Sequence, residues 1–372
     1  MKILHIINNL SSGGAEKLIE ELLPHIHGGS VVCDVLLLSD INNVFDRKLK
    51  ELGIQIDVVP FRKIYSFMNI RLIRKYIIEG KYDLVHVHLF PAQYWASIAV
   101  QLIFKDKPII ITTEHNTHNR RREKFYFRYF DKYIYSRYKK IVSISDQTQE
   151  QLKDWLQVRT DIQNKFIVIN NGINIKAFEK AEPYLKSEVN VDFTEKTKLV
   201  CMVGRFSDQK DQSTLIKAIR ELPNEIHLLL IGEGPNLEKN RDLAKGMEIG
   251  DRIHFLGFRN DVDRIIKTSD VVVQSSMWEG FGLAAVEGMA AGKPIIASDV
   301  PGLREVVKDA GLVFPKGDYK ELANTIYTLL IDHEKYEDLS KSCTLKAREY
   351  SIEEMARKTY DLYKQVVRTK PK

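Results

Sequence analysis

Short apolar runs alternate with amphipathic segments along the whole chain. In the first half, Val-, Ile- and Leu-rich stretches at 2–7, 31–38, 54–59, 83–88, 108–113, 140–144 and 166–169 have the length and composition of buried strands. Helical periods lie between most of them, for example 14–27, 66–79 and 93–103. The second half repeats the alternation, with strands predicted near 198–203, 226–231, 252–256, 270–274, 294–297 and 312–314. Strands that alternate with helices in this way imply parallel sheets covered on both faces. The fold class is therefore α/β, with two Rossmann-like, doubly wound domains facing across a cleft at their strand C-terminal ends, where ligands bind in such sheets.

The pattern restarts near Leu199, after a polar, charged interval at 174–197 that contains Pro183. It follows the turn signal Asn170-Asn171-Gly172-Ile173 and is expected to be a linker. The predicted domains are 1–172 and 173–350. The last segment, about 351–372, is helical from Ser351 to Val367, opens on a Ser351/Glu354 capping box, and is expected to cross back onto the first domain.

A length of 372 residues exceeds what one core usually serves, which agrees with two domains. The three cysteines, Cys33, Cys201 and Cys343, have neither metal-site nor disulfide spacing, and a reducing cytosol fits them. No apolar run approaches the ~18 residues of a membrane span, and the first residues are too short and polar for a signal peptide. The expected location is cytoplasmic, peripheral on the inner face of the cytoplasmic membrane. Net charge is +6, but residues 120–140 alone carry nine Lys/Arg against two acidic residues, together with eight Phe or Tyr. Such a segment can lie on an anionic membrane surface. The competing reading is a helix with Phe127, Phe130, Ile134 and Tyr138 on the core and its cations solvated. RNA is disfavoured because no RNA-recognition motif accompanies the charge, and nucleic acid is not an expected partner.

The chemistry concentrates in the second half. Glu279-Gly-Phe-Gly-Leu-Ala-Ala-Val-Glu287 follows the apolar run Val271-Val272-Val273 and leads into a small-residue helix. A strand, a glycine turn and a helix start aim backbone N–H groups and the positive end of a helix dipole at one point, which suits phosphate. Glu279 on the turn and Glu287, about two turns into the helix, can accept from hydroxyls. A capped helix with a solvated acidic face is the bland alternative. Val203-Gly204-Arg205-Phe206-Ser207-Asp208-Gln209-Lys210-Asp211 places two cations on another strand-to-helix loop, where Arg205 and Lys210 can neutralise a diphosphate. Gly232 and Gly234 form a third such turn, and the backbone around Phe258 and Arg259 can frame a base.

In the first half, Gly13, Gly14 and Glu16 follow the first strand and open a helix toward the expected cleft. The pattern is neither Gly-x-Gly-x-x-Gly nor a Walker loop, which disfavours a dinucleotide or ATP site. His86 and His88 end one strand, and Thr113-Glu114-His115-Asn116 ends another. His115 is the stronger candidate for substrate contact, with Glu114, Asn116 and His118 around it. Metal binding by His86 and His88 lacks a nearby carboxylate or thiol to complete it. Asp261-x-Asp263 reads as a helix cap rather than a metal site.

Together these residues resemble the family 4, or group 1, glycosyltransferases of the GT-B fold over nearly the whole chain. Glu279…Glu287 resembles the family's Glu-x7-Glu motif, and Gly204-Arg205…Lys210, the Gly13–Glu16 loop, Gly232-x-Gly234 and Thr113-Glu114-His115 fall in the family's order. The resemblance implies retaining sugar transfer from a nucleoside diphosphate sugar, a UDP-sugar, to a glycan or lipid-linked acceptor in bacterial surface polysaccharide assembly, with no cofactor and no bound metal. Arg205 and Lys210 would hold the diphosphate and Glu287 the ribose. Glu279 would meet the sugar, with N–H groups of Phe281, Gly282 and Leu283. His115 would lie near the reacting carbon, and Gly14 would approach the diphosphate or the acceptor. Front-face attack and a covalent route both remain open, with domain closure completing the site. Two alternatives stand beside transfer: a nucleotide-sugar epimerase on the same fold, and a non-catalytic membrane-associated scaffold.

Overall fold

The computed structural model describes residues 1–117, 120–158 and 164–368, with Arg120 described in its backbone alone. The chain divides into two compact units, Met1–Gly172 with the segment from Ile352 onwards, and Ile173–Ser351. The first holds β1 (Lys2–Ile7), β2 (Val32–Leu37), β3 (Gln55–Val58), β4 (Leu84–His88), β5 (Ile109–Glu114), β6 (Lys140–Ser143) and β7 (Phe166–Val168). These form one parallel sheet in the order β3-β2-β1-β4-β5-β6-β7.

Strand β1 shows why the apolar runs are unbroken. Ile3 and Ile7 face one layer, with Leu18 and Leu22 of the helix Gly14–Ile26 and Met355, Leu362 and Tyr363 of the helix Ile352–Arg368. Leu4 and Ile6 face the other, with Ala96, Val100, Tyr138 and Leu152. Both faces are buried, so both parities must be apolar. The final helix docks through Ile352, Met355, Ala356, Thr359, Leu362, Tyr363 and Val366, a three-to-four spacing that makes one continuous stripe. Each large apolar side chain in it contributes about 1.5–3 kcal/mol by burial.

The second unit holds β8 (Lys198–Val203), β9 (Ile226–Ile231), β10 (Ile253–Gly257), β11 (Val271–Gln274), β12 (Ile295–Ser298) and β13 (Leu312–Phe314). All pair in parallel, in the order β10-β9-β8-β11-β12-β13. In each sheet the strand order reverses once, between β1 and β4 and between β8 and β11. A crevice opens where the connections diverge at such a point.

Two expectations are corrected. The interval 174–197 is not a free linker. The helix Ile175–Lys180 buries Ile175 and Phe178, and Phe193 is buried as well. The Tyr184 N–H donates to Thr268 Oγ1 at 2.9 Å, and Lys186 pairs with Asp270 at 3.6 Å. Its apolar residues are too widely spaced to show a period, yet Ile175, Phe178 and Phe193 are buried while Leu185 and Val191 stay exposed.

The segment 120–140 matches neither reading in full. The helix Phe127–Ser136 buries Asp131, Ile134 and Tyr135, and Tyr138 is buried beyond it, but Phe130 is 60% exposed. The inward position next to it belongs to Asp131, which accepts from Tyr94 Oη at 2.5 Å and Trp155 Nε1 at 2.7 Å. The cations are not uniformly solvated either. Arg121 is buried, 3.6 Å from Asp131 and stacked on Phe90, and Arg122 lies 3.6 Å from Glu114. Among the described residues, no helix is long and apolar enough to cross a membrane.

Candidate active site

The second unit's chemistry gathers at its switch point. Strand β8 delivers the loop Gly204–Asp211, and neighbouring β11 delivers the turn that leads into the helix Leu283–Ala290. Three hydrogen bonds onto backbone carbonyls fasten the two. The Met277 N–H donates to the Gln209 carbonyl at 2.7 Å, Ser275 Oγ to the Asp211 carbonyl at 2.8 Å, and Gln209 Nε2 to the Trp278 carbonyl at 3.2 Å. Glu279 is buried, and it accepts from Lys210 Nζ at Oε1 and from Gln209 Nε2 at Oε2. Lys210 and Glu279 are 69 residues apart in sequence and form one ion pair.

Arg205 is exposed on the same loop, and its guanidinium has no ion-pair partner among the described residues. The loop also carries Asp208 and Asp211, whose carboxylates accept from Asn236 Nδ2 and from the Ser213 and Thr214 hydroxyls. The Arg205 guanidinium is the cation of this loop that an arriving polyanion can meet without displacing an ion pair among the described residues.

Gly282 caps the following helix at φ 94, in the left-handed region, and a Cβ there would stand 2.6 Å from Leu303. Phe281 is buried edge-to-face with Tyr350, and Leu283 opens the helix. Glu287 is the fifth helical residue, so it lies in the second turn rather than two full turns in, and it is buried.

Gly232 serves the neighbouring loop. At φ 135, its Cβ would sit 2.3 Å from the Gly204 carbonyl oxygen, so glycine is required by packing of backbone on backbone. Gly234 makes a like approach to Phe206, whose N–H donates to the Glu233 carbonyl at 2.9 Å. The Gly232 N–H reaches the Gly257 carbonyl at 2.8 Å, which links this turn to the one carrying half-exposed Phe258. Arg259 next to it is engaged by Asp261, which also accepts from Tyr184. Asp261 occupies the cap position of the helix Val262–Thr268, but its side chain makes no capping bond. Arg259 instead holds that carboxyl well below the usual range.

In the first unit, Gly13 caps the helix Gly14–Ile26. The helix N-terminus was expected to face a phosphate or hydroxyl, but the Glu16 carboxylate folds back over it, 2.1 Å from where a Gly13 Cβ would stand. A carboxylate at this position already complements the helix dipole.

His86 and His88 are buried and share a face, and β1 adds a third imidazole, His5, in register with His86. Nitrogens of His5, His86 and His88 lie within 4.8 Å of one another. His88 Nδ1 is 3.1 Å from His115 Nε2, beyond β5. Burial lowers His5 to about 3 and His115 to about 4, and drives His86 and His88 well down, so all four are neutral near pH 7. His118 lies outside the described residues.

Sequence reasoning missed His5, Gln209 and Ser275. His5 sits within an apolar run, and only its pairing partner shows that it faces other histidines. Ser275 had a signal, a polar pair directly after Val271–Gln274.

Two family models cover most of the chain: Glycosyltransferase Family 4 over residues 12–177, and Glycosyl transferases group 1 over residues 186–345. An uncharacterized glycosyltransferase of Methanocaldococcus jannaschii is 30% identical over 313 residues, spanning 81% of this chain and 82% of that protein. The chain belongs to the group 1, family 4 glycosyltransferases. Like others of this family, it is a sugar-transferring enzyme. Another relative, the Escherichia coli UDP-Gal:α-D-GlcNAc-diphosphoundecaprenol α-1,3-galactosyltransferase, is 25% identical over 78% of this chain and 77% of its own length. Among solved structures, Anabaena HepE in complex with UDP and glucose matches with a TM-score of 0.86 at 21% identity, over 98% of this chain and 100% of that one. The lipopolysaccharide-biosynthesis glycosyltransferase WaaG matches with a TM-score of 0.74 at 15% identity, over 97% of this chain and 99% of that one. These likenesses give the fold, two Rossmann-like units of the GT-B type.

Proposed function

We propose that this glycosyltransferase takes its sugar from a UDP-sugar, retains the anomeric configuration, needs no bound metal or cofactor, and acts on a lipid-linked or glycan acceptor in surface polysaccharide assembly. The observation that carries the reading is the Lys210–Glu279 pair beside exposed Arg205 at the β8/β11 switch point. Bond cleavage puts negative charge on the departing diphosphate. Arg205, Lys210 and the N–H groups at Phe281, Gly282 and Leu283 supply fixed positive charge and dipoles to meet it, the role a divalent ion would otherwise fill. Glu287 accepts from the ribose hydroxyls. Glu279, released when Lys210 turns to the phosphates, accepts from the sugar. Gly232, Gly234 and Phe258 bound the base side, Gly13, Gly14 and Glu16 the acceptor side, and His115 contacts the sugar near its reacting carbon. The E. coli relative's UDP-Gal donor and undecaprenyl acceptor, and the UDP seen with HepE, support the donor and acceptor classes.

A thermal-shift screen with UDP-, GDP- and ADP-sugars tests this. At a hundredfold excess over Kd, a bound donor stabilises by about 2.7 kcal/mol. UDP-sugars raise Tm, and turnover is unchanged by EDTA. A shift with GDP- or ADP-sugars alone refutes the base, and EDTA-sensitive turnover restored by magnesium refutes metal independence.

The acceptor class also implies contact with a membrane. Phe125, Tyr129 and Phe130 are 74%, 70% and 60% exposed, with Lys124, Arg137 and Lys139 exposed nearby in sequence. Rings in the interface and cations near lipid phosphates suit an anionic surface. Buried Arg121 and half-buried Arg122, engaged by Asp131 and Glu114, take no part. The variant Phe125→Ser/Phe130→Ser is expected to lose co-sedimentation with phosphatidylglycerol-containing vesicles while binding nucleotide normally. Equal retention of wild type and variant on those vesicles refutes the docking surface.

A further inference from the structure

His5, His88 and His115 form a hydrogen-bonded file. His5 Nδ1 is 3.2 Å from His88 Nε2, and His88 Nδ1 is 3.1 Å from His115 Nε2. His86 stands aside from it, with Nδ1 held by Tyr363 Oη at 2.6 Å and Nε2 by Thr113 Oγ1 at 2.7 Å. A neutral imidazole carries one N–H and one lone pair. Three neutral rings in file therefore have two concerted arrangements. With every proton on Nδ1, His5 donates to His88, His88 donates to His115, and His115 presents an N–H at Nδ1. With every proton on Nε2 the file runs backwards, and His115 presents a lone pair.

The far end of the file decides between them. His5 is fully buried, and its Nε2 has no hydrogen-bond partner among the described residues. The second arrangement strands an N–H there, and the first strands only a lone pair. Buried N–H groups without a partner are the rarer and costlier case. A zinc ion among His5, His86 and His88 fits the observations less well. Both His86 nitrogens are engaged, and the cluster includes no carboxylate or thiolate to offset a buried dication.

We infer that His5 and His88 are positioning residues that fix the tautomer of His115, so that it acts on the sugar as a neutral Nδ1–H donor and not as a proton-abstracting base. This rests on the proposal that His115 contacts the donor sugar. A neutral donor suits a reaction in which positive charge develops at the anomeric carbon, because it can orient a sugar oxygen without repelling that charge. No bond to His115 is made or broken, and no proton leaves it.

Imidazole 15N spectra of the histidine-labelled whole protein test the inference without substrate, with assignments taken from single His→Gln variants. The expected wild-type result is His115 protonated at Nδ1 and unprotonated at Nε2. The opposite tautomer overturns the inference, and so do zinc-ligated signals from His5 and His88 after addition of zinc alone. His5→Phe removes the anchor and is expected to give His115 as a tautomer mixture, whereas an unchanged His115 overturns the file. If that variant does not fold, the wild-type spectrum still decides. In turnover, His88→Asn keeps an N–H in the place of Nδ1 and is expected to retain kcat. His88→Leu is expected to lower kcat by about 10²-fold with donor KM little changed. Equal kcat in the two variants overturns the positioning role. Failure of every nucleoside diphosphate sugar to react would remove the sugar reading while leaving the spectra interpretable.

Discussion

Lys210→Ala and Arg205→Ala each lower glycosyl transfer by about 10²–10³-fold, the scale seen when one preorganised donor to developing charge is removed, yet only the first weakens the fold. Arg205 is exposed and has no ion-pair partner among the described residues, so its loss is expected to change stability by less than about 0.5 kcal/mol. Lys210 is the counterion of buried Glu279. Removing it takes the cation from a buried carboxylate, to which Gln209 Nε2 still donates at 3.2 Å, at a cost of about 1–3 kcal/mol. Adding Glu279→Gln to Lys210→Ala is expected to restore stability and not turnover. Urea midpoints and steady-state rates on the same preparations check all three. Near-wild-type transfer by either single variant removes the diphosphate assignment, and equal stability losses remove the counterion account.

The second large effect lies far from that chemistry in sequence. Asp131 is fully buried, accepts from Tyr94 and Trp155, and stands 3.6 Å from Arg121. Asp131→Ala is expected to destabilise by about 3–5 kcal/mol, because it removes the carboxylate 3.6 Å from a buried guanidinium together with the acceptor of Tyr94 and Trp155. Asp131→Asn keeps one oxygen to accept from Trp155 Nε1 and sets its NH2 against Tyr94 Oη, whose hydroxyl can turn to accept, so it should fall between. Replacing Asp131 and Arg121 together should cost less than the sum of the single changes, since no lone charge is left. Denaturant unfolding followed at the Trp residues measures the cycle, and strict additivity would show that the pair is not coupled.

Asp131 also shows where sequence reading stops. The sheets were legible because strands buried on both faces must be apolar at every position, as in Val271–Val273 and Ile295–Ile296. The glycine-broken turn before the helix Leu283–Ala290 was legible because few structures besides a strand-to-helix turn need that order of residues. By contrast, counting charges in 120–140 could not show which cations face inward. Arg121 finds its carboxylate ten residues on, at a position that a helical period alone would give to an apolar ring. His5 is a case of register. Its parity was visible, but its neighbours became known only once β1 was paired with β4. Glu16 folds back over its own helix terminus by a choice of rotamer, which no spacing encodes.

The fastening of Gly204–Asp211 to Ser275–Glu279 bears on attempts to redesign what this enzyme accepts. Because Gln209 and Asp211 lend their carbonyls to Met277 and Ser275, neither segment can be transplanted from a relative without carrying the other's shape with it. Selectivity at this bracket is inherited as one cassette, and chimeras cut between the two halves would inherit mismatched seams.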